Sequence, residues 1–345
     1  MSVMLQEIYE QPEAVERAIG AALETVKALV LAIRTRNIQH VVIAARGTSD
    51  NAGVYAKYLI EIATGIPVGL SAPSVVTLYG ATLRYGNCLV VGISQSGQAT
   101  DVVQVVEAAR AGGALTACIT NVADSPITHV SDFSLFCNAG DERAVAATKT
   151  YTTSLALVAL LAAEWSQSER LREGLRALPA HLRETLRLDD TIAAGVERYR
   201  YIQECAVLAR GLNLATALEA ALKMTETSYL VAKPYSAADF LHGPIAMVSD
   251  GFPCILYAPD GQTADSMVAV AHTLAARGAE LIIAAHTPAA LAIASRPLPV
   301  SCEVDELLSP IVYILPGQLW ACHLARCRGR NPDSPRGLTK VTLTR

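Results

Sequence analysis

Two strand-to-turn junctions recur at a single spacing. The apolar run Val41-Val42-Ile43-Ala44-Ala45 ends in Arg46-Gly47, and Ala206-Val207-Leu208-Ala209 ends in Arg210-Gly211. Gly47 and Gly211 lie 164 residues apart. So do Gly97 and Gly261, which sit in the loops after the apolar runs 89–93 and 255–258. A shared spacing of this kind predicts duplication of one unit, and 345 residues suit two domains better than one.

Within each half, short apolar runs alternate with longer amphipathic ones, which predicts βαβ units on a parallel sheet. The first half reads as strands 41–45, 88–93, 115–120 and 133–137 with helices 51–63, 100–111 and 148–166. The second reads as strands 205–209, 254–258 and 281–285 with helices 214–230, 264–277 and 309–326. Aromatics are only 5% of the chain, so the cores must rest on Ala, Leu, Val and Ile, as buried parallel strands under Ala-rich helices do. A helix over 12–35 opens at Pro12, charge clusters between 164 and 200, and Pro332, Pro335 and Gly337 mark a tail. The expected fold class is α/β, with two tandem doubly wound parallel-sheet halves. Its expected parts are a helical segment 1–36, a first domain 37–170, a helical linker 171–198, a second domain 199–327 and a tail 328–345.

A net charge of −4 gives no basis for nucleic-acid or anionic-membrane binding. The eight cysteines include no CxxC pair and mostly lie in apolar runs, so they read as buried free thiols rather than disulfides or zinc ligands. No metal and no organic cofactor is expected. The N-terminus lacks a basic-then-apolar leader, and the longest apolar stretch, near 155–163, is too short to cross a bilayer. A cytoplasmic protein is expected.

The run 89–93 leads into Ser94-Gln95-Ser96-Gly97-Gln98, and a helix follows. Ligands of open parallel sheets bind beyond the carboxyl ends of strands, and a helix N-terminus there attracts an anion. Two hydroxyls and an amide add donors; with no Lys or Arg in the loop, the pattern suits one phosphate monoester. Gln98 stands where a Walker A lysine would be required, no G-x-G-x-x-G follows a strand, and Gly92 to Ser96 misses the last glycine of a nucleophile elbow. An ordinary polar helix cap remains the alternative. Thr48 and Ser49, after the preceding strand, could complete the pocket, or Ser49 or Asp50 could simply cap its helix.

Glu219 and Lys223 are four apart and Lys223 and Glu226 three apart, so all three share a helical face. The face reads either as a solvated ion-pair stripe or as a partly desolvated carboxylate fit for general-base work. His242 follows in a loop bounded by Gly243-Pro244, with no second metal-ligating residue at the right spacing.

These segments together resemble the sugar isomerase (SIS) domain family, notably the isomerase half of glucosamine-6-phosphate synthase and the isomerase-type glucosamine-6-phosphate deaminases. The resemblance starts at Glu7-Ile8-Tyr9-Glu10-Gln11-Pro12. It runs through Gly47-Thr48-Ser49, Ser94-Gln95-Ser96-Gly97, Asn138-Ala139-Gly140-Asp141-Glu142 and Val145-Ala146-Ala147-Thr148-Lys149-Thr150. It continues through Ala217-Leu218-Glu219 to Glu226 and His242-Gly243-Pro244, and ends in Asp333-Ser334-Pro335-Arg336-Gly337-Leu338-Thr339-Lys340. It implies flavodoxin-like halves. It also implies phosphate binding by Ser94, Gln95 and Ser96 with Thr48 and Ser49 nearby, and places Thr100 and Ala147 at the substrate.

The same resemblance implies that Glu226 moves a proton between C1 and C2 of the open sugar and that His242, from the neighbouring subunit of a homodimer, opens the ring. Lys340 would form an imine at C2, with Glu219 and Lys223 in support. Ala99 stands where the family usually has Ser or Thr, which puts one phosphate contact in question, with Thr100 as its possible replacement. The chain enters the isomerase pattern within about ten residues of Met1, so no glutaminase is expected ahead of it. The expected substrate is a phosphorylated amino sugar or ketose, and the expected reaction glucosamine 6-phosphate to fructose 6-phosphate and ammonia. A galactosamine 6-phosphate enzyme, a fructosamine-6-phosphate deglycase and a non-catalytic sugar-phosphate sensor are the alternatives.

Overall fold

The computed structural model describes residues 1–340. Ten strands are present among them: β1 (His40–Ala44), β2 (Val68–Leu70), β3 (Cys88–Ile93), β4 (Leu115–Thr120), β5 (Phe133–Phe136), β6 (Glu204–Ala209), β7 (Val231–Ser236), β8 (Pro253–Ala258), β9 (Glu280–Ala285) and β10 (Arg296–Pro299). The helices that matter below are α1 (Val3–Tyr9), α2 (Gln11–Thr35), α3 (Thr48–Thr64), α4 (Thr100–Ala111), α5 (Lys149–Ser166), α6 (Glu169–Thr185), α7 (Leu214–Ser228), α8 (Ala237–Leu241), α9 (Ala264–Ala275) and α10 (Ser309–Cys327).

The chain forms two compact units. One holds Glu13–Glu142, Lys149–Arg176 and, among the described residues, 339–340; the other holds Met1–Pro12, Arg143–Thr148 and Ala177–Leu338. The first contains the sheet β2-β1-β3-β4-β5 and the second the sheet β7-β6-β8-β9-β10. Every strand pair is parallel. Counted within its own half, each sheet has the strand order 2-1-3-4-5, the doubly wound order whose direction reverses between its first and third strands. The glycines at the shared 164-residue spacing also agree in backbone: Gly47, Gly97, Gly211 and Gly261 all have positive φ.

The central strands β3, β4 and β8 are buried at every residue, as strands covered on both faces must be. Helix α5 is buried from Lys149 to Ala163, which accounts for the long apolar stretch without a bilayer. Among the described residues no helix is long and apolar enough to cross a membrane. All eight cysteines are free thiols. Burial pushes Cys88, Cys137 and Cys322 up to about 11 and Cys205 and Cys254 up to about 12, so these five are not thiolates at neutral pH.

Three strands depart from the alternation pattern. β2 has three residues; β7 carries Pro234; β10 reads Arg-Pro-Leu-Pro. All three lie at sheet edges, where a missing N–H costs no ladder bond. Within the helical segment expected over 1–36, a separate short helix precedes the one expected over 12–35. This helix, α1, is capped by Ser2, whose side chain accepts from Leu5 N–H, and α2 starts at Gln11 with Pro12 inside its first turn. Of the tail expected over 328–345, residues 341–345 lie outside the described residues.

Candidate active site

In the first unit, β1 and β3 are neighbours with Ala44 opposite Gly92, and the winding direction reverses between them. The two turns beyond their carboxyl ends therefore border one crevice. The turn after β1 brings Thr48 and Ser49; the turn after β3 brings Ser94, Gln95 and Ser96, with Thr100 at the first position of α4. Helix α3 is capped by the backbone of Gly47, and Ser49 and Asp50 fall inside its first turn. The alternative in which Ser49 or Asp50 serves as a plain helix cap is thereby corrected: φ at Gly47 is 55°, so the chain enters the helix three residues earlier than the polar cluster suggested.

The Ser-rich loop is not an ordinary cap either. Helix α4 has Ala99 at its cap position and no side-chain capping bond. The loop's carbonyls are spent inward. Gln95 O accepts from Asn121 N at 3.0 Å and Thr120 Oγ1 at 3.3 Å, and Ser94 O accepts from Gly97 N at 3.1 Å. A loop whose acceptors are used internally and whose helix end lacks a cap suits an anion.

Arg46 supplies a cation that the loop's own sequence lacks. It is about half exposed, and its Nε donates at 2.6 Å to the buried carboxylate of Asp101 in the first turn of α4. The spacing of 55 residues hid this contact from sequence reading. Asp50 faces the same cation; burial pushes its carboxyl up and Arg46 opposes the shift.

Gly97 is required at its position. Its φ is 66°, and a Cβ there would overlap the side chain of Ser125. Ser125 is buried and its hydroxyl already donates to Val122 O, so it cannot yield. Gly97→Ala is expected to cost more than about 1 kcal/mol of stability and to weaken sugar-phosphate binding together with it. Denaturant unfolding and titration calorimetry would check this, and unchanged affinity would show that the loop does not hold the phosphate.

The corresponding crevice of the second unit is chemically different. The loop after β8 begins Pro259-Asp260-Gly261, with an acid and no hydroxyl before the glycine. The Glu306 carboxylate fills it, accepting from Gln262 N–H at 2.8 Å. A carboxylate already on that amide, beside Asp260, repels a further anion. The fold offers two switch-point crevices, and only the first has hydroxyl side chains ahead of the glycine in the loop after its third strand.

Lys340 lies in the first unit, with its Nζ 2.7 Å from Glu142 Oε2. The Glu142 side chain is fully buried and also accepts from Thr150 N at 3.1 Å and Thr150 Oγ1 at 2.8 Å. Glu142 was not among the residues expected at the site. Its only signal was the segment Asn138 to Glu142 itself, because its partners are eight and 198 residues away.

In the second unit, α7 packs on α10. Lys223 Nζ is 3.4 Å from Glu219 Oε1 and 2.7 Å from Glu226 Oε2. The Lys223 and Glu219 side chains are 1% and 0% exposed, so the face is not a solvated stripe. Glu226 is 23% exposed, near the end of the helix, with one carboxylate oxygen ion-paired to the buried ammonium at an angle that makes no hydrogen bond. The pair orients a carboxylate that still reaches solvent. Ala147 lies in the loop Arg143–Thr148, which is tied down by Glu7 accepting from Arg143 N and Ala144 N and by Val145 N donating to Asp333 O. His242 is exposed at the end of α8, its N–H donating to Asp239 O at 3.1 Å. Among the described residues no cluster of His, Cys, Asp or Glu suits a metal ion.

The family model described as the SIS domain matches residues 35–164 and 203–324. The isomerizing glutamine–fructose-6-phosphate aminotransferase of Thermococcus kodakarensis is 36% identical to the chain over 347 residues, covering 98% of this chain and 57% of that protein. The chain thus spans a little over half the length of the curated relatives it matches. Among solved structures, the C-terminal domain of glucosamine-fructose-6-phosphate aminotransferase from Francisella tularensis superposes with a TM-score of 0.85 at 30% identity, covering 97% of this chain and 98% of that one. The glucosamine-6-phosphate deaminase of Thermotoga maritima gives a TM-score of 0.80 at 21% identity, covering 99% of this chain and 100% of that one, a likeness of fold.

Proposed function

The chain belongs to the SIS domain family, and from that premise we propose that it is a phosphosugar isomerase that deaminates glucosamine 6-phosphate to fructose 6-phosphate and ammonia. The observation that carries this reading is the Glu219–Lys223–Glu226 array. A buried lysine holding a partly exposed carboxylate is what proton transfer between two adjacent sugar carbons requires.

Ser94, Gln95 and Ser96, with Thr48, Ser49 and Thr100, hold the phosphate, and Arg46 adds charge at its edge. Ala147 borders the sugar through the backbone of its loop. His242, contributed across a homodimer, opens the ring. Glu226 takes the C2 proton from the open aldehyde form, and C1 is protonated in return. The C2 amine has then become a C2 imine; water adds to it, ammonia leaves, and the ketose phosphate remains. Lys340 forms a C2 imine with the keto sugar, releasing water, and in the direction of deamination this imine is hydrolysed again to return the ketose phosphate and the free amine. Its amine must first give up a proton, and Glu142 stands 2.7 Å away to hold it.

A second reading reverses the direction. The names of the curated relatives point to aminotransferase chemistry, in which the ketose phosphate and ammonia give the amino sugar phosphate. One experiment separates the possibilities. Ammonia release is measured from glucosamine 6-phosphate, galactosamine 6-phosphate and a fructosamine 6-phosphate in parallel, with fructose 6-phosphate plus ammonium as the reverse arm. Release from the first alone is the expected result. Release from another sugar changes the substrate, and net synthesis alone favours the aminotransferase direction. Binding without turnover in any arm leaves a sensor and overturns the proposal. A monomer by sedimentation would remove His242 from its assigned role.

A further inference from the structure

Tyr229 ends α7, three residues beyond Glu226, in the left-handed conformation at φ 58°. Glycine or asparagine would hold that position at lower backbone cost. A tyrosine there needs a reason in its side chain, and the structure supplies one. The phenol oxygen accepts from Arg336 N–H at 2.8 Å. The Arg336 guanidinium lies 4.5 Å from the ring centroid and that of Arg330 5.3 Å. The ring thus holds the tail at two places six residues apart.

The stretch between them is held as well. The Asp333 carboxylate accepts from Val3 N at 2.9 Å and Met4 N at 2.7 Å, at the N-terminal end of α1, and Asp333 O accepts from Val145 N at 3.0 Å. Beyond Arg336 the chain turns at Gly337, with φ 72°. Lys340 is four residue steps beyond Arg336, so the arm beyond the last anchor spans at most about 14 Å.

We propose that Tyr229 is a positioning residue that clamps the tail segment 330–336 to the end of α7 and thereby sets the point from which the arm carrying Lys340 extends. The inference rests on the reading of Lys340 as the imine-forming amine. Its first test does not, because the clamp is read without any substrate.

Tyr229→Phe keeps the stacking surface and loses the acceptor; Tyr229→Asn keeps a residue suited to the left-handed conformation and loses both. Trypsin cleavage of the native full chain after Arg330 and Arg336 is followed by mass, with thermal unfolding as a control. Cleavage is expected to quicken a few-fold in Tyr229→Phe and about ten- to a hundredfold in Tyr229→Asn, as local opening becomes easier. Turnover number should fall in the same order, with KM for the sugar phosphate unchanged because the Ser94–Ser96 loop is untouched. Unchanged cleavage in Tyr229→Asn would overturn the clamp, and should Tyr229→Asn fail to fold, unchanged cleavage in Tyr229→Phe decides the same point. Faster cleavage with turnover and KM both unaltered would overturn the positioning role. A wild-type protein inactive on every sugar would sink the proposed reaction while leaving the proteolysis result to judge the clamp.

Discussion

Glu226→Gln is expected to lower ammonia release from glucosamine 6-phosphate by about 10²–10⁴-fold, the range that one positioned proton-transfer group supplies. Binding should survive, since the amide keeps the shape of the side chain and the phosphate loop is untouched. The loss should therefore appear in kcat with KM little changed, the pattern of an interaction made only in the transition state. Stability should change little too, because the side chain is 23% exposed and its ammonium neighbour keeps Glu219. Undiminished turnover in a folded variant would remove Glu226 from the chemistry and move the search for the base elsewhere.

Lys223→Met is expected to cost about 3–5 kcal/mol of stability, because it removes the ammonium paired with the fully buried Glu219 carboxylate. At about 2–4 °C per kcal/mol for a domain of this size, the midpoint should drop by about 10 °C. Adding Glu219→Gln should recover most of the loss, since a neutral pair of similar volume replaces a broken ionic one. Calorimetry or urea unfolding of the two variants measures both steps. A loss under about 1 kcal/mol would mean that the three charges are solvated, and the case for a desolvated base at Glu226 would weaken with it. The double variant separates stability from activity: restored folding with low turnover assigns Lys223 to orienting Glu226 as well as to holding α7.

How far the site could be read depended on distance along the chain. The Ser94-Gln95-Ser96-Gly97 loop was legible because strand, turn and helix are contiguous, and periodicity reports contiguous structure. The Glu219–Lys223–Glu226 face was legible as a face, because helical spacing is local. Its burial was not, because that depends on α10, about ninety residues later, packing against α7. Glu142 and Arg46 escaped for the same reason: each finds a partner through a turn of the fold, Lys340 in one case and Asp101 in the other. The three edge strands escaped for a different one. A strand of three residues, or one carrying prolines, has no alternation to read, and its pairing comes from the neighbour that accepts it.

What the sequence determined by itself was the α/β class, the alternation of elements, the recurrence of two strand-to-glycine junctions, and the motifs by which the chain resembles the SIS domain family. These are local quantities, set by apolar period, turn chemistry and residue order. Tertiary structure alone decided that Glu306 comes to lie in the loop after β8, a loop whose own sequence already lacks hydroxyls before its glycine. Both loops share a glycine of positive φ at a helix entrance, yet only the second takes in a carboxylate from 44 residues away, that of Glu306. It also decided that the lysine among three charges on α7 is buried rather than bathed in water. Burial is a property of what packs against a residue, and no window of sequence contains it.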